Sequence, residues 1–216
     1  MRLVLAEDSV LLRAGLTELL RLEGFEVVAE VGDADALLEA ARRTRPDVVV
    51  VDVRMPPTHT VEGLRAAREL RVEFGESMGV LVLSHHVETA HALDLLAASS
   101  RGVGYLLKDR VLRPADLASA IRAVGSGGSA IDPVVVSRLL ERKRGAEGLA
   151  ALTTREREVL ALIAEGRSNR SVASALFLSE KTVEGCTTRI FDKLGLVETP
   201  EAHRRVRAVL AWLQQQ

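Results

Sequence analysis

Only one cysteine, Cys186, occurs in the 216 residues, so the chain can form no internal disulfide, and a reducing, cytoplasmic setting is expected. No apolar run is long enough to span a bilayer. The N-terminus passes directly from Met1-Arg2 into Leu3-Val4-Leu5-Ala6-Glu7-Asp8, and an acidic pair in that stretch argues against a signal peptide. No membrane partner is therefore expected. A surplus of charge is missing too. The 29 Lys+Arg stand against 30 Asp+Glu, a formal net charge of −1, which exerts no bulk pull toward nucleic acid or lipid. Internal repeats and long low-complexity segments are absent. What remains is a chain sized for one large or two small domains, with 47% hydrophobic residues to build cores.

The two halves are written differently. Over residues 1–124, short β-rich runs (RLVLA, EVVAEV, DVVVVDV, GVLVLS, GVGYLL) alternate with amphipathic stretches (VLLRAGLTELLRL, ADALLEAARR, EGLRAARELR, ETAHALDLLAA, RPADLASAIRAV). Five βα units in succession predict a doubly wound α/β domain with a parallel sheet covered on both faces. Residues 125–149 read as a linker: Gly125-Ser126-Gly127-Gly128-Ser129 breaks the pattern, a short helix follows around VVVSRLLERKR, and glycines recur at Gly145 and Gly148. Residues 150–216 read as an all-helical domain of four helices. Charge divides mildly with this boundary: 19 Lys+Arg against 22 Asp+Glu up to residue 149, and 10 against 8 beyond it.

The most hydrophobic run, Val48-Val49-Val50-Val51, ends in Asp52, and Met55-Pro56-Pro57 then prevents strand or helix from continuing. In a doubly wound sheet, ligands bind outside the carboxyl ends of the strands. Those ends carry Glu7-Asp8, Asp52, Ser84 and Lys108-Asp109. Crowded carboxylates repel one another unless a cation neutralises them, and hard oxygen donors favour Mg²⁺. A lysine and a hydroxyl beside a nucleophilic aspartate would suit a phosphoryl group on Asp52.

In these residues, at these strand ends and in this order, residues 1–124 resemble the receiver domain of bacterial two-component response regulators. The resemblance implies a five-stranded sheet in the flavodoxin-like order 2-1-3-4-5. It implies that Asp52 accepts phosphate from a sensor histidine kinase, and that Asp8, Asp52 and the Arg54 backbone carbonyl bind Mg²⁺, with Glu7 acting through metal-bound water. Ser84 would follow the phosphoryl oxygen, Lys108 would pair with it, and Tyr105 would turn inward as an aromatic switch. Such a protein is a phosphoacceptor with at most slow autophosphorylation and autodephosphorylation, not an enzyme. One departure is Asp109, which follows Lys108 where many receivers have proline.

In the helical half, Leu152-Thr153-Thr154-Arg155-Glu156 predicts a capping box. Gly166 and Gly195 terminate helices, and Ser168 and Ser179 begin them. The short turn before Ser179 fits a helix-turn-helix, whose second member enters the major groove of double-stranded DNA. The run LTTREREVLALIAEGRSN…LFLSEKTVE…IFDKLGL resembles the LuxR-type helix-turn-helix domain, and the whole chain is similar to regulators of the NarL/FixJ subfamily. That similarity implies dimerisation on phosphorylation and control of transcription. On the second helix, Val183, Thr187, Ile190 and Leu194 form the expected buried stripe. The face left for DNA comprises Lys181, Thr182, Glu184, Gly185 and Thr188, with Asp192 beside them and Arg189 only at the flank, so it offers one lysine against two carboxylates. Cys186 is expected to be half-buried. The last helix, HRRVRAVLAWLQ, gathers Val206, Val209, Leu210 and Leu213 on one face, to pack on its own domain or on a second copy.

Two further readings stand beside this one. The helical half could be a protein-binding module that does not read DNA. An aspartate-nucleophile phosphohydrolase would need a general acid two residues after Asp52, where Arg54 stands and cannot serve. His85, His86 and His91 have no metal-binding spacing and are expected at the surface.

Overall fold

The computed structural model describes residues 1–88, 95, 101–196 and 203–213. The helix expected over ETAHALDLLAA, with His91, lies outside the described residues apart from its first residue, Glu88, and Leu95. The chain divides into two compact units, Met1–Leu139 and Leu140–Gln216.

The first unit alternates strands and helices: β1 (Arg2–Ala6), α1 (Val10–Leu22), β2 (Glu26–Val31), α2 (Ala34–Thr44), β3 (Val48–Asp52), α3 (Glu62–Phe74), β4 (Gly79–Ser84), β5 (Val103–Leu107), α4 (Pro114–Gly125) and β6 (Ser129–Ile131). All strands pair in parallel, in the order β2-β1-β3-β4-β5-β6. The sheet thus has a sixth strand beyond the five expected. β6 adds to the edge of β5 through Val103↔Ser129, Gly104↔Ala130 and Tyr105↔Ile131. Three residues are too few for a periodic signal, which is why the stretch reads as linker. β3 lies between β1 and β4, and all five of its residues are buried. Burying each valine side chain is worth about 1.5–3 kcal/mol, so this one strand contributes on the scale of a domain's whole net stability. One face of the sheet packs Val49 and Val51 with Leu37, Leu64 and Leu70; the other packs Val48 and Val50 with Leu20, Leu117 and Ile121.

The rest of the expected linker also differs. Instead of a short helix followed by a glycine break, α5 runs unbroken through Pro133–Ala150, capped by Asp132. Gly148 is there for close approach, not flexibility: a β-carbon on it would lie 2.4 Å from the Lys193 carbonyl oxygen. The second unit continues with α6 (Thr154–Ala164), α7 (Asn169–Leu176), α8 (Glu180–Lys193) and α9 (Arg204–Leu213) around Leu149, Val159, Leu160, Val172, Val183 and Ile190. No helix among the described residues is long and apolar enough to cross a membrane.

Candidate functional site

The sheet order reverses between β1 and β3, and their partner strands set the level of each tip. The registers Ala6↔Val51, Asp52↔Leu83 and Ser84↔Leu107 bring Glu7, Asp52, Ser84 and Lys108 to one edge of the sheet. Carboxylate oxygens of Glu7, Asp8 and Asp52 lie within 4.8 Å of one another. Glu7 and Asp52 are only 2% and 7% exposed. The Lys108 ammonium reaches both, at 2.7 Å from Glu7 Oε2 and 3.1 Å from Asp52 Oδ1. Burial pushes the Glu7 carboxyl above its ordinary pKa, and Lys108 opposes that shift only in part. One ammonium cannot balance three crowded carboxylates, so the cluster keeps a negative excess. Its donors are all hard oxygens, which fits a small divalent cation such as Mg²⁺.

Ser84 and Tyr105 face a neighbouring turn. The Ser84 hydroxyl donates to the His86 carbonyl at 2.6 Å and accepts from the His86 amide at 3.1 Å. The Tyr105 ring is wholly buried; its hydroxyl donates to the same carbonyl at 3.0 Å and accepts from the Glu88 amide at 3.2 Å. Burial raises the tyrosine pKa. The Arg54 guanidinium extends to Glu88 at 2.9 Å, so the residue two after Asp52 spans two loops. His85 and His86 are exposed, and His85 pairs with Asp109 at 3.1 Å.

Four participants escape a reading of strand ends. The Arg13 guanidinium, on α1, donates to the backbone carbonyls of Glu7 and Asp8. Gly63 opens α3 against β3: a β-carbon there would sit 1.7 Å from the Asp52 carbonyl oxygen, so only glycine fits. The loop between β3 and α3 contains a cis Pro56–Pro57 bond and is tied by Glu62. Glu62 accepts from the hydroxyls of Thr58 and Thr60 and from the Thr60 amide at 2.7 Å. Burial works against the Glu62 charge, but these hydrogen bonds outweigh it and hold its carboxyl at a pKa of about 2. The fourth is His59, in a left-handed conformation at φ 53, with Nδ1 3.2 Å from Asp8 Oδ2. The pattern Thr-x-Thr-x-Glu was a legible sign of side-chain-to-backbone bonding; nothing pointed to His59.

In the second unit, Thr153 and Glu156 cap each other's backbone amides at the start of α6. Phe177, left-handed at φ 54 and 97% exposed, makes the turn from α7, and Ser179 caps α8 through the Thr182 amide. Val183, Cys186, Thr187, Ile190 and Leu194 are buried. Cys186 is therefore a core residue, not a half-buried one, because it lies next to Thr187 in the inward stripe. Lys181, Thr182, Glu184, Thr188 and Arg189 are exposed and Gly185 is half-exposed. Glu156, nearly buried, holds Lys193 at 2.7 Å and faces Arg189 at 3.7 Å. Two of the three cations on α8 are thus turned toward their own domain. On α9, Val206, Leu210 and Leu213 are more than half exposed, while Ala208 is buried.

Comparison with known proteins agrees with this division. Residues 3–122 match the model of the response regulator receiver domain, and residues 150–213 that of the bacterial regulatory proteins of the luxR family. The DNA-binding transcriptional activator DevR/DosR of Mycobacterium tuberculosis is 32% identical over 206 residues, covering 93% of this chain and 91% of its own. A solved structure of the RcsB response regulator of Salmonella typhimurium superimposes with a TM-score of 0.67 at 28% identity, covering 99% of both chains. Another, of two RcsB dimers bound to two parallel DNAs, has a TM-score of 0.58 at 26% identity, covering 99% and 98%. A strand-end carboxylate cluster with its lysine, followed by a capped helix-turn-helix, makes this chain a member of the response regulator family, with a receiver domain and a LuxR-type DNA-binding domain, a family of regulators and not of enzymes.

Proposed function

We propose that Asp52 is the phosphoacceptor of a two-component pathway. A carboxylate oxygen of Asp52 attacks the phosphorus of a phosphohistidine on the sensor kinase, the P–N bond breaks, and the imidazole leaves with the electron pair. Asp8, Asp52 and the Arg54 backbone carbonyl would hold Mg²⁺, with Glu7 contributing through metal-bound water. Bound there, Mg²⁺ supplies charge neutralisation for the phosphoryl oxygens. Lys108 then moves from the carboxylates to a phosphoryl oxygen, Ser84 exchanges its His86 partner for another, and Tyr105, sharing the His86 carbonyl, follows. The observation that carries this reading is the Lys108 ammonium set between Glu7 and Asp52, beside Asp8.

The change at Asp52 favours a homodimer whose helical domains, residues 150–216, present Lys181, Thr182, Glu184, Gly185, Thr188 and Arg189 to two half-sites in double-stranded DNA. The exposed Val206, Leu210 and Leu213 stripe on α9 supplies an apolar surface for pairing. Residues 1–124 are the receiver in this scheme, and the protein works in the cytoplasm. The exposed carboxylates Glu184 and Asp192 on α8 favour a second reading, in which the helical domain docks on protein.

Treatment with acetyl phosphate and Mg²⁺ should add one phosphate, seen by mass spectrometry, to the wild type and none to Asp52→Asn. Beryllofluoride should shift wild-type light scattering to the dimer. Labelling that persists in Asp52→Asn would remove the central claim. Chromatin immunoprecipitation of wild type against Asp52→Asn separates DNA binding from protein docking.

A further inference from the structure

We propose that the basic segment of α5, centred on Lys143 and Arg144, grips the phosphate backbone of duplex DNA beside the groove that α8 enters. The inference rests on the reading of α8 as the DNA-contacting helix and goes beyond it.

Its basis is a mismatch of charge between two helices. Phosphate contacts by lysine and arginine supply nearly all of the sequence-independent affinity of a DNA-binding protein. The open face of α8 offers Lys181 against Glu184 and Asp192, while Arg189 and Lys193 are drawn to Glu156. Residues 138–144 instead carry Arg138, Arg142, Lys143 and Arg144 against the single carboxylate of Glu141. Lys143 and Arg144 are exposed, and among the described residues neither has a carboxylate partner. Cations serve a helix dipole from its last turn, but the last turn of α5 holds none. Residues 140–150 of α5 belong to the same compact unit as α8. The two helix ends are fixed to each other there. Gly148 meets the Lys193 carbonyl so closely that a β-carbon would lie 2.4 Å from it. The Lys193 ammonium donates to the Ala151 carbonyl at 3.1 Å, and Arg157 on α6 donates to the Leu149 carbonyl at 2.8 Å. Arg144 precedes Gly148 by four residues, about 6 Å along the helix, and shares its face. An exposed cation is thereby held near the C-terminal end of α8. A helix in the major groove has phosphate strands on its flanks, so an arm fixed to its end meets backbone and not base edges. Such an arm contributes affinity without sequence preference.

The test is the salt dependence of binding to a random-sequence duplex, followed by fluorescence anisotropy, with the full chain in Mg²⁺ and beryllofluoride. Glutamine keeps helix propensity, so Lys143→Gln/Arg144→Gln removes charge and not structure. That double variant should flatten the log–log slope by about 1.8 units, at about 0.9 for each phosphate. Arg43→Gln/Arg65→Gln removes the same charge from exposed positions on α2 and α3 and should leave the slope as in the wild type. An unchanged slope in the α5 variant overturns the proposal. So does equal flattening in both double variants, which would assign the effect to net charge. Lys181→Gln distinguishes the two levels. If it flattens the slope and the α5 variant does not, only the role of α5 fails; if the wild type itself shows no salt-dependent binding, the reading of α8 fails with it.

Discussion

Lys108 lies closer to Glu7 than to Asp52, at 2.7 against 3.1 Å, so its ammonium is shared with a carboxylate that is not the proposed nucleophile. All three groups are largely buried, and removing one member of a buried ion pair typically destabilises by about 3–5 kcal/mol. Lys108→Met should therefore lower the denaturation midpoint markedly in EDTA. Because Mg²⁺ would then neutralise a larger negative excess, adding it should stabilise the variant more than the wild type. Equal Mg²⁺ shifts in both proteins, followed by urea denaturation, would mean that Lys108 and the cation do not answer the same charge.

Glu62 predicts an acid-labile loop. Its folded pKa of about 2 lies below the ordinary carboxylate value of 4.5. The sign follows from linkage: a depressed folded pKa gives stability that is complete above about pH 4.5 and is lost as the pH falls toward 2. At most about 3 kcal/mol is involved, at 1.36 kcal/mol per unit. NMR signals of Thr58, His59 and Thr60 should broaden or shift across that window, and Glu62→Gln should show the loosened loop already at neutral pH. A loop insensitive to both changes would show that the threonine contacts are incidental.

Glu156 predicts a different trade. It caps α6 through Thr153 and anchors Lys193 and Arg189 of α8. Burial opposes its charge, yet the Lys193 and Thr153 contacts keep its pKa below the ordinary value. Glu156→Gln should cost the 150–216 fragment roughly 1–3 kcal/mol, the scale for a charged hydrogen bond. It should also release two cations, giving tighter binding to duplex DNA with a steeper salt dependence. A loss of stability with no change in salt slope would mean that those cations face away from DNA even when free.

At Gly185, a β-carbon would meet nothing nearer than the Arg189 guanidinium at 3.8 Å, so the position is open. Gly185→Lys in the same fragment should gain helix stability of up to about 1 kcal/mol. It should also steepen the log–log salt slope of binding to random duplex by about one unit. An unchanged slope in gel-shift titrations would take residue 185 off the DNA face.

How much was legible follows from where each signal lies. Asp52, Lys108 and Glu7-Asp8 could be read because a buried parallel strand announces itself by composition and its tip is the next residue. The stripe of Val183, Thr187, Ile190 and Leu194 could be read because helical spacing is regular. β6 could not, since Ser129-Ala130-Ile131 is stabilised by pairing with β5 and not by its own pattern. Gly148 misled for a related reason: the same residue type serves a flexible break and a tight helix contact, and only the Lys193 carbonyl distinguishes them. His59 lay beyond reach because its meaning depends on a backbone turn that joins it to a residue 51 positions earlier in the chain.

The central placement of β3 has one more consequence. Its backbone is bonded to a neighbour on each side, and its four valine side chains are wholly buried. Amides in such a strand exchange with solvent only when the whole domain opens, whereas loops exchange through small local fluctuations. Asp52 thus sits on the slowest clock in its domain, while Arg54, His59 and Glu88 in the loops around it keep faster time. A modification at that fixed point can be registered by its surroundings without the point itself having to move.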